Sequence, residues 1–224
     1  MKIKNRFQVI NNPIDIDRVE TLSSYNSDIS IKPFNDTFTF INVARFKEQK
    51  NHALLIQAFS YLSKYADVYL VLIGEGELME NSKKQCIELK ISEKVQFLGF
   101  DNNPYKYLIK ADCFVLTSDY EGFPNVIVEA LACGLPVIST DCSSGPREIL
   151  APNSDVSNKL TDKIELQEFG ILTPVGNEDL LLEAMKVIIN NPDIKRSYMI
   201  KSKKRALDFE SGVIIKQFNK LFQE

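Results

Sequence analysis

The sequence predicts an α/β protein with a doubly wound parallel sheet of about six strands and helices on both faces, and three observations predict it. From residue 38 onward, short β-rich runs alternate with segments of helical period. Several of these runs, Val-Tyr-Leu-Val-Leu-Ile at 68–73 and Cys-Phe-Val-Leu at 113–116, are nearly all apolar, as strands covered by helices on each side must be. The chain's 224 residues, 44% apolar and 25% charged, can bury a sizeable core without disulfides or metals, which excludes disordered and fibrous classes. Alternation, buried strands and size together describe a Rossmann-like layer.

Each element follows in order. Before residue 37, Phe7–Ile10 has strand character, Asn12-Pro13 marks a turn, Asp15–Leu22 reads as a short helix, and Ser23–Asn35 is polar and turn-rich. These residues look like a lead-in segment rather than a domain, leaving 37–224 as the folded unit. The strand and helix pairs are then Phe38–Val43 with Ala53–Leu62, Val68–Ile73 with Leu78–Leu89, Val95–Leu98 with Tyr105–Ile109, and Cys113–Thr117 with Val126–Ala132. Val137–Ser139 is the next strand. The polar stretch Ala151–Glu168 reads as a loop, Gly170–Thr173 as a sixth strand, and Glu178–Ile189, Ile194–Asp208 and Gly212–Phe222 as closing helices. In the last of these, Ile214, Phe218, Leu221 and Phe222 share one stripe. Left uncovered, that stripe favours self-association or packing against a partner.

Composition removes several function classes. With 27 Lys plus Arg against 30 Asp plus Glu, the net charge of −3 gives no broad field for nucleic acid or an anionic membrane. The apolar runs fall far short of a membrane span, and Met1–Arg6 leads into no signal-peptide core, so the sequence reads as cytoplasmic. Cys86, Cys113, Cys133 and Cys142 form no C-x-x-C pair and read as buried reduced thiols. His52 is the only histidine, which argues against zinc and against a Ser/His/Asp or Cys/His arrangement; beside Asn51 at a helix start it reads as a solvated surface residue. Gly74-Glu75-Gly76 lies between a strand and a helix, but Met79 occupies the third-glycine place of a dinucleotide fingerprint. No P-loop motif is present. Asp15-Ile16-Asp17 has the form of a metal-binding D-x-D, yet in its setting Asp15 is an ordinary helix cap.

Two clusters carry chemistry. Glu121-Gly122-Phe123-Pro124-Asn125-Val126-Ile127-Val128-Glu129 leaves a buried strand, turns, and enters a helix whose positions are small or apolar apart from Glu129. A carboxylate there either complements the helix dipole or needs a hydrogen-bonding ligand. The helix N-terminus can also present free N–H groups to an anion at the sheet's crevice. The second cluster, Asn42 to Asn51, places Arg45 and Lys50 five residues apart in a tight loop after a strand. They are either solvated surface charges or two cations converging on one phosphate.

With these segments, the chain resembles the carboxyl-terminal, nucleotide-sugar-binding half of retaining GT-B glycosyltransferases of the GT4 type, the "glycosyl transferases group 1". The resemblance spans about residues 7–222. It rests on Asn11-Asn12-Pro13-Ile14-Asp15, Val43-Ala44-Arg45 through Lys50-Asn51, Leu72-Ile73-Gly74-Glu75-Gly76, Val95-Gln96-Phe97-Leu98-Gly99, Ala111-Asp112, Pro136-Val137-Ile138-Ser139-Thr140, and above all the E-x7-E element from Glu121 to Glu129.

The resemblance implies transfer of a hexose or N-acetylhexosamine from a nucleoside-diphosphate sugar, UDP-linked in most look-alikes, to a glycan or lipid-linked acceptor in bacterial surface polysaccharide synthesis. Arg45 and Lys50 would hold the diphosphate without a metal or other cofactor, helped by backbone at Gly122, Phe123, Pro124, Asn125 and Val126. Glu129 would accept ribose hydroxyls, Glu121 would face the transferred sugar, and backbone near Phe100 would read the base. Of these, Glu121, Arg45 and Lys50 would be catalytic. Residues 1–36 would be an interdomain hinge and 37–224 the donor domain. GT-B enzymes carry a second, amino-terminal acceptor half, which would be the partner of this one and the route to any peripheral membrane contact at the inner face. The alternative is a noncatalytic nucleotide-sugar-binding subunit that works with a separate acceptor chain.

Overall fold

The computed structural model describes residues 9–24 and 37–221. Within them one sheet holds seven strands, β1 (Phe38–Val43), β2 (Val68–Ile73), β3 (Val95–Gly99), β4 (Cys113–Leu116), β5 (Val137–Thr140), β6 (Glu165–Leu166) and β7 (Ile171–Thr173). Their order across the sheet is β3-β2-β1-β4-β5-β7-β6, parallel except for the β6–β7 edge pair. Alternation explains the apolar runs: Leu70 and Leu72 join the core on one face, while Val71 and Ile73 join the core on the other.

The helices are α1 (Ile16–Ser23), α2 (His52–Leu62), α3 (Met79–Glu88), α4 (Tyr105–Leu108), α5 (Asn125–Ala132), α6 (Pro146–Leu150), α7 (Glu178–Asn190), α8 (Pro192–Ala206) and α9 (Ser211–Leu221). The side-chain oxygens of Asp15, Asn51 and Asn177 accept from the N–H of Arg18, Leu54 and Leu180, so each caps its helix as its residue type predicts. Asp15 is thus a helix cap. Segment 9–24 is tied to the far end of the chain, because Ile14 donates to the Phe209 carbonyl at 2.8 Å and accepts from Ser211 N–H at 2.9 Å.

Several expectations need correction. The sheet has seven strands rather than six, because β6 lies inside the polar stretch Ala151–Glu168 that reads as loop. Two residues are too few to show a period, and β6 is held by the Gln167 N–H to Gly170 carbonyl bond that closes its turn. Helix α6 was also not expected; Pro146 opens it at the position proline favours. The long loop is anchored by Arg147, which makes paired bonds to Asp141 at 2.9 and 2.7 Å and reaches Glu165 at 3.2 Å. Leu160 N–H adds a third bond to Asp141 at 3.0 Å. The carboxyl-terminal stripe is split: Ile214 is buried in the core, while Phe218 and Leu221 are exposed and Phe222 lies outside the described residues. Three thiols are buried, but Cys133 is half-buried. The Phe7–Ile10 strand starts outside the described residues, and no strand covers Val9 or Ile10. Nearly all of Ser23–Asn35 also lies outside them.

Candidate functional site at the switch point

Strands β1 and β4 are neighbours, and the chain leaves them toward opposite edges of the sheet. Such a point opens a crevice beyond the strands' carboxyl ends. The loop after β1 carries Arg45 and Lys50; the loop after β4 carries Glu121. The two are sewn together. Lys50 Nζ pairs with Glu121 Oε1 at 2.5 Å, and Ser118 Oγ donates to the same oxygen at 2.6 Å. Asn51 Nδ2 donates to Asp119 at 2.9 Å, Thr117 Oγ1 donates to the Lys50 and Asn51 carbonyls, and Asp119 N–H donates to the Gln49 carbonyl. Only 8% of the Glu121 side chain is exposed, so its ion pair with Lys50 is held largely out of water.

Glycines let the backbone close around this point. A Cβ on Gly74 would lie 2.0 Å from the Ala44 carbonyl oxygen, and one on Gly76 2.4 Å from that of Phe46. The Gly-Glu-Gly segment therefore packs the loops after β1 and β2 against each other, a role that needs no third glycine. On the other side, a Cβ on Gly145 would meet Pro124 Cδ at 2.4 Å and the Gly122 carbonyl oxygen at 2.5 Å. Ser144 Oγ donates to the Glu121 carbonyl at 2.8 Å, so the turn Gly122-Phe123-Pro124 is backed by the start of α6.

Two cavities flank the N-terminus of α5. One, of about 520 Å³, is lined by Arg45, Lys47, Gly74–Gly76, Phe100, Asp101 and Val126. Arg45 is exposed and its side chain makes no hydrogen bond or ion pair among the described residues, and Phe100 is 70% exposed at the rim. The other, of about 340 Å³, is lined by Asn12–Asp15, Arg18, Tyr105, Asn125, Val128, Glu129 and Ser211. Glu129 is half-buried, burial pushes its carboxyl above the usual range, and its hydrogen bond, from Tyr105 Oη, is long at 3.4 Å. The first turn of α5 has no side-chain cap; the Asn125 side chain instead accepts from Asn12 Nδ2 at 3.0 Å.

The structure thus joins Lys50 to Glu121, sets Arg45, Phe100 and Val126 around one cavity, and sets Asn125 and Glu129 on the next. It does not pair Arg45 with Lys50 or Glu121, and Lys50 and Glu121 line neither cavity. Sequence reasoning missed Ser118, Ser144, Tyr105 and Arg18. Ser118 lies two residues past the end of β4 and could have been marked by that position, whereas Ser144, Tyr105 and Arg18 approach from distant segments with no local signal. Among the described residues, no group of three His, Cys, Asp or Glu side chains could hold a metal ion.

His52, expected on the surface, is buried. Its ring stacks on Phe46 at 4.1 Å between centroids, and neither nitrogen has a hydrogen-bond partner among the described residues. Phe46 belongs to the Arg45–Lys50 loop, so the stack fixes that loop from beneath. Burial, followed by the Lys50 charge, lowers the His52 pKa from 6.5 to about 4. The unfolded chain therefore binds the proton more readily. Stability from keeping His52 neutral is complete above pH 6.5, is lost as pH falls through that window, and is gone below about pH 4. The loss amounts to about 3 kcal/mol. His52→Phe, which keeps a ring on Phe46, is expected to flatten the pH dependence of the melting temperature over this range. Parallel profiles for variant and wild type would refute this.

Comparison with known proteins bears on the same residues. The family model described as "Glycosyl transferases group 1" matches residues 26–206. An uncharacterized glycosyltransferase of Methanocaldococcus jannaschii is 34% identical over 239 aligned positions, covering 99% of this chain and 58% of its own length. The Campylobacter jejuni N-acetylgalactosamine-N,N'-diacetylbacillosaminyl-diphospho-undecaprenol 4-alpha-N-acetylgalactosaminyltransferase is 36% identical, over 91% of this chain and 50% of its own. Among solved structures, Anabaena HepE in complex with UDP superposes with a TM-score of 0.80 at 22% identity, over 96% of this chain and 57% of its own. That likeness shows the fold. The chain spans about half the length of the curated relatives it matches.

Proposed function

Because the chain belongs to the glycosyl transferases group 1 family, we propose that residues 37–224 bind the nucleoside-diphosphate-sugar donor of a retaining glycosyltransferase, with 1–36 as the hinge toward an acceptor-binding half. The observation that carries this reading is the joining of the two charged loops at the β1/β4 switch point through Lys50 and Glu121. The donor is proposed to be UDP-linked, in keeping with the UDP in the HepE complex. A lipid-linked glycan acceptor accords with the diphospho-undecaprenol acceptor in the Campylobacter relative's name. The setting is bacterial surface polysaccharide synthesis at the cytoplasmic side of the membrane.

In this reading Arg45, unpaired and exposed, meets the diphosphate first. Lys50 turns from Glu121 toward it as the sugar bond breaks. Fixed positive charge at the leaving phosphates stabilises the charge that develops there, and no divalent ion is needed. Release of Lys50 leaves Glu121, still held by Ser118, to accept from the sugar's hydroxyls. Glu129 accepts from the ribose hydroxyls, which supplies the partners its half-buried carboxylate lacks. A second half or partner chain would bring the acceptor hydroxyl to the anomeric carbon and exclude water. This chain alone is then a donor-binding half without transfer activity, and Phe218 and Leu221 on α9 face its complement or a second copy.

Glu129 gives the test. Glu129→Gln is expected to weaken UDP binding by about 1–3 kcal/mol, the range for a hydrogen bond to a charged group. The melting temperature of the unliganded chain should stay nearly unchanged, since the Glu129 side chain makes one long hydrogen bond among the described residues. Intact UDP affinity with a large loss of stability would make Glu129 a helix-capping residue and nothing more.

A further inference from the structure

The net charge of −3 averages over two unlike regions. Residues 194–221 carry eight Lys or Arg and two Asp or Glu, a net of +6, which leaves −9 on the rest of the chain. Six of those eight cations lie on α8. The inward face of α8 is Tyr198, Ser202 and Ala206, all buried. At 100° per residue, Asp193, Arg196, Ile200, Lys204 and Leu207 fall together on the opposite side, with Lys203 and Met199 on the flank and the Lys203 stem lying over Gly134. Ile200 is 68% exposed, Leu207 54% and Met199 45%. Arg196, Lys203 and Lys204 make no ion pair among the described residues, unlike Lys195, which pairs with Asp112, and Arg205, which pairs with Asp208. The outer face of one helix thus combines three large apolar side chains and three cations that make no ion pair among the described residues with one exposed carboxylate, Asp193, in its first turn.

Charge complementarity decides what suits such a face. A covering protein surface would bury lysines, which the cores of protein interfaces exclude. Nucleic acid would satisfy the cations but leave Met199, Ile200 and Leu207 in water. The boundary of an anionic bilayer satisfies both sets: apolar side chains enter the acyl margin while Lys and Arg stems extend to the phosphates. We propose that the outer face of α8 docks this chain on anionic lipid surfaces. No helix among the described residues is long and apolar enough to cross a membrane, so the contact is peripheral. It is independent of nucleotide binding, because none of these residues lines the cavities beside α5.

The test is co-sedimentation of the 224-residue chain with vesicles of equal parts phosphatidylglycerol and phosphatidylcholine, and with phosphatidylcholine alone. Binding is expected to the mixed vesicles only, and to fall steeply as salt rises. Arg196→Gln with Lys204→Gln is expected to weaken it about 25-fold, at about fivefold per neutralised charge. Ile200→Ser with Leu207→Ser is expected to weaken it by about tenfold. All four positions are exposed, so both double variants should melt and bind UDP as wild type does. Four results would overturn the proposal: no vesicle binding, equal binding to both vesicle types, wild-type binding by both double variants, or binding of a DNA duplex in place of vesicles.

Discussion

Arg147→Met is expected to lower the stability of this chain by about 3–5 kcal/mol, the cost of stranding a buried charge when its partner is removed. Arg147 is 3% exposed and Asp141 2%, and their paired bonds hold the 151–168 loop to the end of β5 through Leu160 and Glu165. With Arg147 gone, the Asp141 carboxylate keeps the Leu160 N–H as its one hydrogen-bond donor among the described residues. The melting temperature should fall by roughly 6–20 °C for a chain of this size. Adding Asp141→Leu removes the stranded carboxylate, so the double variant should recover much of the loss. Equal melting of the single variant and wild type would mean that the pair does not anchor the loop.

The second large effect falls on Arg45. In a protein holding both halves, Arg45→Ala is expected to slow sugar transfer by about 10²-fold, as loss of one preorganised contact to developing charge does. In the chain alone the same change should narrow the gap between UDP and UMP affinity, because in the proposed arrangement the cation reaches the second phosphate. Wild type should prefer UDP to both UMP and uridine, with EDTA making no difference. Calorimetry showing strict Mg²⁺ dependence, or equal affinity for UDP and UMP, would contradict this assignment.

Most of this layout is legible in the residues. The strands β1 and β2 begin and end where their β-rich runs do, since burial on both faces admits few polar side chains, Asn42 in β1 being satisfied by its bond to the Val115 carbonyl. The E-x7-E spacing marks a turn and a helix start, whereas the close backbone approach at Gly-Glu-Gly shows only in the folded chain. What stayed hidden depends on distant segments. His52 looks like a surface residue until Phe46 folds over it, and nothing beside Arg147 in the sequence marks its burial between Asp141 and Glu165. The pairing of Lys50 with Glu121 joins loops 71 residues apart, so no local pattern could announce it. Ile214 shares its spacing with Phe218, but only the docking of Ile14 beside Phe209 and Ser211 shows which side of α9 is covered.

The central claim is that a nucleoside diphosphate binds where the loops after β1 and β4 meet. Titration of the isotopically labelled chain with UDP, followed by amide chemical shifts, tests it most directly. The account predicts saturable shifts concentrated at residues 44–51, 74–76, 99–101 and 121–129. Shifts confined to the separate cavity around Lys159, Thr161 and Asn177, or no shifts at saturating UDP, would contradict it.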